Sequence, residues 1–259
     1  MQNLEGKTAI VTGGSRGIGR AIAHRLAKDG ANVVICARNA DPLNEVVGEI
    51  RSNGGNASFV AADLRLPNEP RRLAELALAQ FGAIDIVVNN AGATKRGEFV
   101  ELADDDWADG FALKFFGAVR LTRAAWPHLK LRGGSVLNIS GAGGRTPGPE
   151  FTIGGSVNAA MLSFTKAMAD AGIRDGIQVN AINPGTIRTG RLQMRLASIV
   201  KEHGIDMETA ERQFVKESQV TRIGLPEDVA NLVSFVVGPE GRFLQGSLID
   251  LDGGSTKTI

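Results

Sequence analysis

A glycine-rich stretch, TGGSRGIG from Thr12 to Gly19, stands directly after an apolar run and directly before an amphipathic one. Its glycines at 13, 17 and 19 follow G-x-x-x-G-x-G spacing. Small residues there permit a tight turn, and the backbone N–H groups of a helix start are suited to a pyrophosphate. Ser15, Arg16 and Ile18 complete the loop. A plain strand-to-helix turn has a similar composition, so the reading as a dinucleotide site depends on a surrounding strand–helix–strand unit. A second apolar run ends in Ala37, Arg38 and Asn39, where an NAD-binding chain usually carries an acid for the ribose 2′-hydroxyl. Arg16 and Arg38, two guanidiniums with no acid beside them, suit a 2′-phosphate through charge-assisted hydrogen bonds. NADP(H) is therefore expected over NAD(H), the plainer alternative being two solvated arginines.

The elements that must position this loop are legible in the hydrophobic pattern. Thr8–Gly13, Asn32–Ala37, Ala57–Asp63, Ile84–Asn90, Ser135–Ser140, Ile177–Asn183 and SLIDLDGG near the C-terminus are short apolar or β-branched runs. Runs without period-2 polarity belong to a sheet covered on both faces. Amphipathic segments at Gly19–Asp29, Pro70–Phe81 and Pro226–Val237 fall between them, two of them opening on a proline, which a first helical turn tolerates. Alternation of this kind predicts an α/β fold, a Rossmann-type doubly wound parallel sheet of about seven strands. No linker or low-complexity stretch divides residues 1–259, so one domain is expected. Residues 188–220 are charged and helical with no strand. Placed after a strand's carboxyl end, they read as a helical lid over a substrate, or as an ordinary surface excursion.

Bulk composition narrows the function classes. Lys plus Arg number 29 against 28 Asp plus Glu, a balance that argues against nucleic acid or an anionic membrane as the main partner. The single cysteine, Cys36, excludes an internal disulfide and suits a reducing cytoplasm. The N-terminus lacks a basic segment leading an apolar one, so no secretory signal is expected. No apolar run approaches the roughly 18 residues of a membrane span. A cytoplasmic chain acting on a small molecule is the expectation. No His/Cys/Asp cluster has metal-ligand spacing, so no metal is expected.

Two further motifs follow the glycine loop in order: NNAG, Asn89 to Gly92, and NPGTIRT, Asn183 to Thr189. With LEGKTAIVTG, LPEDVA and the closing DGG, the chain resembles the short-chain dehydrogenase/reductase family over nearly its whole length. The resemblance implies that Asp63, with Leu64 beside it, borders the adenine. It implies that Asn90, Ala91 and Gly92 wall the cofactor. Pro184, Gly185, Ile187 and Thr189 would hold the nicotinamide carboxamide. Family members commonly pair through two long helices, so a homodimer or homotetramer is implied. Apolar residues at Phe115, Phe116, Trp126, Met161, Phe164 and Met168 fit such a surface, or equally a monomer core.

The family's proton-transfer set is another matter. Its tyrosine, the lysine four residues later, the serine about thirteen residues before it and the asparagine of a preceding helix align with Gly154, Asn158, Gly141 and Lys114. The whole chain contains no tyrosine, so no shift of register recovers a Tyr-x-x-x-Lys. Lysine and asparagine have changed places between positions 114 and 158, so an ammonium and an amide remain. In one reading Lys114 projects into the space vacated at Gly154, where desolvation lowers its pKa and fits it for acid–base work. In the other it reaches solvent or pairs with Glu150. Glycines at 141, 143, 144, 154 and 155 are expected to open the pocket. Ser140 and Ser156 flank the lost positions, and Lys95 and Arg96 follow NNAG as loop cations. Three functions fit: an atypical NADP(H)-dependent oxidoreductase; a non-redox, lyase-like enzyme on the same scaffold; or a silent nucleotide-binding subunit of an active paralogue.

Overall fold

The seven apolar runs become seven parallel strands. In the computed structural model, which describes residues 4–257, these are β1 (Thr8–Thr12), β2 (Asn32–Ala37), β3 (Asn56–Ala61), β4 (Ile86–Asn89), β5 (Ser135–Ile139), β6 (Gln178–Pro184) and β7 (Leu248–Leu251). The outermost residues of the expected 1–259 domain, 1–3 and 258–259, lie outside that description. The sheet order is β3-β2-β1-β4-β5-β6-β7, with registers such as Val11↔Ile35 and Val11↔Val88 on either side of β1. Every pairing is parallel. The winding direction reverses between β1 and β4, and a crevice opens at such a point outside the carboxyl ends of the strands.

Helices cover both faces, which is why the strands lack polar alternation. On one side α1 (Gly17–Lys28), α2 (Ala40–Ser52) and α9 (Pro226–Val237) bury Ile22, Leu26, Val47 and Val233 against β1 and β2. On the other, α3 (Glu69–Phe81), α5 (Gly117–Arg132) and α6 (Thr152–Asp175) bury Leu73, Leu121, Leu129 and Ala169. Met161 is buried and so fills the monomer, while Trp126 and Met168 are partly buried against this second core. Cys36 is buried too, and desolvation pushes its thiol up to about 12, so it supplies no nucleophile.

Two departures from regularity matter for function. The helix α4 (Asp104–Gly110) loosens into a π-helical turn at Phe111–Phe116 before α5 resumes. After β6, α7 (Gly190–His203) and α8 (Met207–Glu217) leave the sheet and pack on each other around Leu192, Leu196, Ala210 and Phe214. This is the 188–220 segment, and it has its own small core. No helix among the described residues is long and apolar enough to cross a membrane.

Candidate active site

The glycine loop is shaped by contacts that exclude side chains. Gly13 has φ +68°, and a Cβ there would stand 2.9 Å from Asn90 Nδ2. A Cβ on Gly19 would lie 2.2 Å from the Gly13 carbonyl oxygen, so only glycine lets α1 start this close to the turn. Arg16 precedes α1 in extended conformation, with no capping side chain and no acid in the first turn. The leading N–H groups of α1 are thus available to an anion. That uncapped start and the side-chain-free cradle fit a dinucleotide's pyrophosphate.

The other motifs converge on the same crevice because each follows a strand end. Thr12 Oγ1 accepts hydrogen bonds from the N–H groups of Asn90 and Ala91, both at 2.9 Å, and Asn90 Nδ2 donates to the Thr12 carbonyl at 2.9 Å. NNAG is therefore tied to the glycine loop. A Cβ on Gly17 would approach Thr189 Cγ2 at 3.3 Å, which places the NPGTIRT segment on the loop's other side. Within that segment Pro184 ends β6, Gly185 faces Asp252 and Ile187 is buried. Arg38 and Asn39 are exposed between β2 and α2. Asp63 follows β3 and accepts from Arg65 Nε at 3.0 Å, while Leu64 is buried behind it. Ser15 is half-buried in the loop and Ile18 packs on the first core.

Lys114 sits on the π-helical turn, and its stem lies against Gly92, whose added Cβ would meet Lys114 Cδ at 2.9 Å. Its ammonium donates to the Ser140 carbonyl and to Asn158 Oδ1, each at 2.6 Å. Lys114 and Asn158 are thus in direct contact. Both expected placements of Lys114 are corrected: the ammonium neither fills the space at Gly154 nor pairs with Glu150. Desolvation, with the neighbouring Arg191 charge, lowers its pKa to about 7. Ser140 supplies only its carbonyl here, since its hydroxyl donates to the Asn158 carbonyl at 3.0 Å. Below, an amide network holds the platform: Asn89 Nδ2 donates to Asn138 Oδ1 at 2.8 Å and Asn138 Nδ2 to Thr165 Oγ1 at 2.9 Å.

This lysine carries a pH signature. Its folded pKa of about 7 lies below the ordinary 10.5, so between those values the unfolded chain binds more protons. Stability therefore rises with pH across that window, by at most about 1.4 kcal/mol per unit. Lys114→Met is expected to flatten the rise. Urea midpoints of both chains from pH 7 to 10 check this, and parallel curves would count against it.

The position expected to be opened by glycine is closed instead. The Phe151 ring lies over Gly154, so that an added Cβ would stand 2.0 Å from Phe151 Cζ. Arg96 stacks on the outer face of that ring, its guanidinium carbon 4.3 Å from the centroid. Gly143 lies against the same ring, and Gly141 and Gly144 against the Asn158 side chain. These glycines make room for an aromatic plug and an amide, not for solvent. Phe151 was legible only as a residue three positions, about one helical turn, before Gly154. Arg191, absent from the sequence reading, opens α7 and donates to the Gly92 carbonyl. The signal for it was a basic residue two positions past the NPGTIRT motif. Lys95 is occupied by Asp106 at 2.8 Å.

A glycine loop starting a helix at the switch point of a parallel sheet defines a Rossmann-type dinucleotide-binding protein. The short chain dehydrogenase family model matches residues 7–198, and the chain belongs to that family. An uncharacterized oxidoreductase of Mycobacterium tuberculosis is 38% identical over 99% of this chain and 94% of its own length. L-sorbose reductase from Gluconobacter frateurii, solved with NADPH and L-sorbose, superposes with a TM-score of 0.95 at 33% identity over 99% of this chain and 98% of that one. A 7α-hydroxysteroid dehydrogenase solved with NADH and 7-oxo glycochenodeoxycholic acid gives 0.88 at 31% identity, over 99% of this chain and 97% of that one.

Proposed function

We propose that this chain is an atypical NADP(H)-dependent oxidoreductase that lacks the family's Ser/Tyr/Lys set, with Lys114 supplying the proton. The observation that carries this reading is the Lys114 ammonium held between the Ser140 carbonyl and Asn158 Oδ1 at 2.6 Å each. The bound cofactor would supply or accept a hydride. An ammonium has three donors; two are used here, and the third is left for a substrate oxygen. A group with pKa about 7 is near half-protonated at neutral pH, where general acid–base catalysis is most efficient. Asn158 and the Ser140 carbonyl position Lys114, and burial, with a smaller contribution from the Arg191 charge, sets its acidity.

The cofactor reading assigns the pyrophosphate to the start of α1, between Gly13 and Gly19, and the 2′-phosphate to Arg38 with Arg16. Residues 188–220 act as a lid, tethered through Arg191 to Gly92. Copies of the single domain, residues 1–259, associate as a homodimer or homotetramer through α5 and α6, near which Phe116, Leu131 and Ile173 are exposed. Arg38→Asp is expected to weaken NADPH on the order of tenfold or more, the loss of a charge-assisted contact and gain of a repulsive one, and to weaken NADH little. Fluorescence titration with both nucleotides measures this; equal losses would refute the 2′-phosphate assignment. The reading as a whole is tested by NADPH titration followed by NADPH oxidation across a broad carbonyl panel. Tight binding without turnover of any carbonyl would overturn the oxidoreductase reading in favour of a silent subunit.

A further inference from the structure

Arg191 and Arg195 stand four residues apart on α7, one turn of the same face. Arg191 donates to the Gly92 carbonyl, so the start of that face meets the loop that carries Arg96 four residues further on. Arg96 lies with its guanidinium carbon 4.3 Å above the Phe151 ring, and Arg195 with its own 5.0 Å above the Phe214 ring. In each case a ring covers one flat face, which leaves the N–H edge for a ligand. Among the described residues no carboxylate forms an ion pair with Arg96, Arg191 or Arg195, although most of the chain's ion pairs engage an arginine.

We infer that Arg96 and Arg195 form an anion clamp at the mouth of the cleft and select substrates bearing a carboxylate or phosphate besides the reacting carbonyl. This rests on the oxidoreductase reading for the role of the bound molecule, and on the arginine geometry for its charge. Desolvation and the charge of Arg195 both lower the Arg96 pKa, with Glu150 the one acid acting the other way. Two unpaired cations held near each other repel, and an anion seated between them removes that cost. Arg191 is committed to the Gly92 carbonyl and is repelled by Arg16 of the glycine loop, which leaves the other two for the substrate.

Calorimetric titration of the NADPH-saturated protein with succinate, benzoate and inorganic phosphate tests the clamp, with succinamide and benzamide as neutral counterparts. At least one anion is expected to bind while its neutral counterpart does not. Arg96→Gln and Arg195→Gln are each expected to weaken that binding about tenfold or more, and added salt to weaken it as well. No anion binding, or binding unchanged in both variants, would overturn the clamp. So would anion binding that saturating NADPH abolishes, since the cations would then serve the cofactor. If NADPH itself does not bind, the dinucleotide reading fails. The same titration on the unliganded chain then decides the clamp separately.

Discussion

Lys114→Met is expected to lower carbonyl-dependent NADPH oxidation by about 10²-fold or more, the range general acid–base groups contribute, with NADPH affinity essentially unchanged. The affinity should hold because the ammonium bonds to Ser140 and Asn158 and to no group of the glycine loop or NNAG. Asn158→Ala removes one of the two acceptors at 2.6 Å and should give a smaller loss with a shifted pH profile, since it acts through Lys114. The discriminating measurement is the pH dependence of kcat/KM. Wild type should show a limb near the lysine's pKa of about 7, moved upward in Arg191→Gln because a repelling charge is gone. Equal rates in wild type and Lys114→Met would rule out the lysine as proton donor.

The second large effect concerns the aromatic plug. Gly154→Ala is expected to destabilise the fold by about 1–3 kcal/mol, as overpacking in a filled site does. The new Cβ would meet the Phe151 ring at 2.0 Å, and that ring yields only by leaving its stack with Arg96. Phe151→Ala in the same chain should recover most of the loss, a coupling that a double-mutant cycle in urea reads directly. Gly154→Tyr, which places a phenol where the family resemblance sets the tyrosine, should be at least as destabilising and should not raise turnover. Additive losses in the cycle would mean that Phe151 does not occupy the site in solution.

Most of the fold was legible because a doubly covered parallel sheet writes itself as unbroken apolar runs, and Asn32–Ala37 and Pro226–Val237 match their observed limits. The convergence of these motifs was legible for a related reason: glycines 13, 17 and 19 and the NNAG and NPG motifs each follow a strand end, and parallel winding brings all such ends to one edge. The meeting of Lys114 with Asn158 could be anticipated from the family resemblance, which sets both positions in one pocket. What closes the pocket could not. Glycine at 154 says that no side chain starts there, yet nothing about a ring folding back from Phe151. That depends on the path of the whole 141–151 connection. Arg191 was hidden differently, since a basic residue in a charged helix reads as a solvated face until the tertiary fold turns it onto Gly92.

The π-helical turn at Phe111–Phe116 holds one residue beyond the α-helical count, and each residue of a helix turns the chain by about 100°. A one-codon deletion there would let α4 run unbroken into α5 and swing the lysine away from Ser140 and Asn158. The ammonium's place in the cleft is therefore encoded as much in the length of this segment as in the identity of residue 114. In descent, such a site can be gained or lost by a change of chain length with no substitution at the lysine itself.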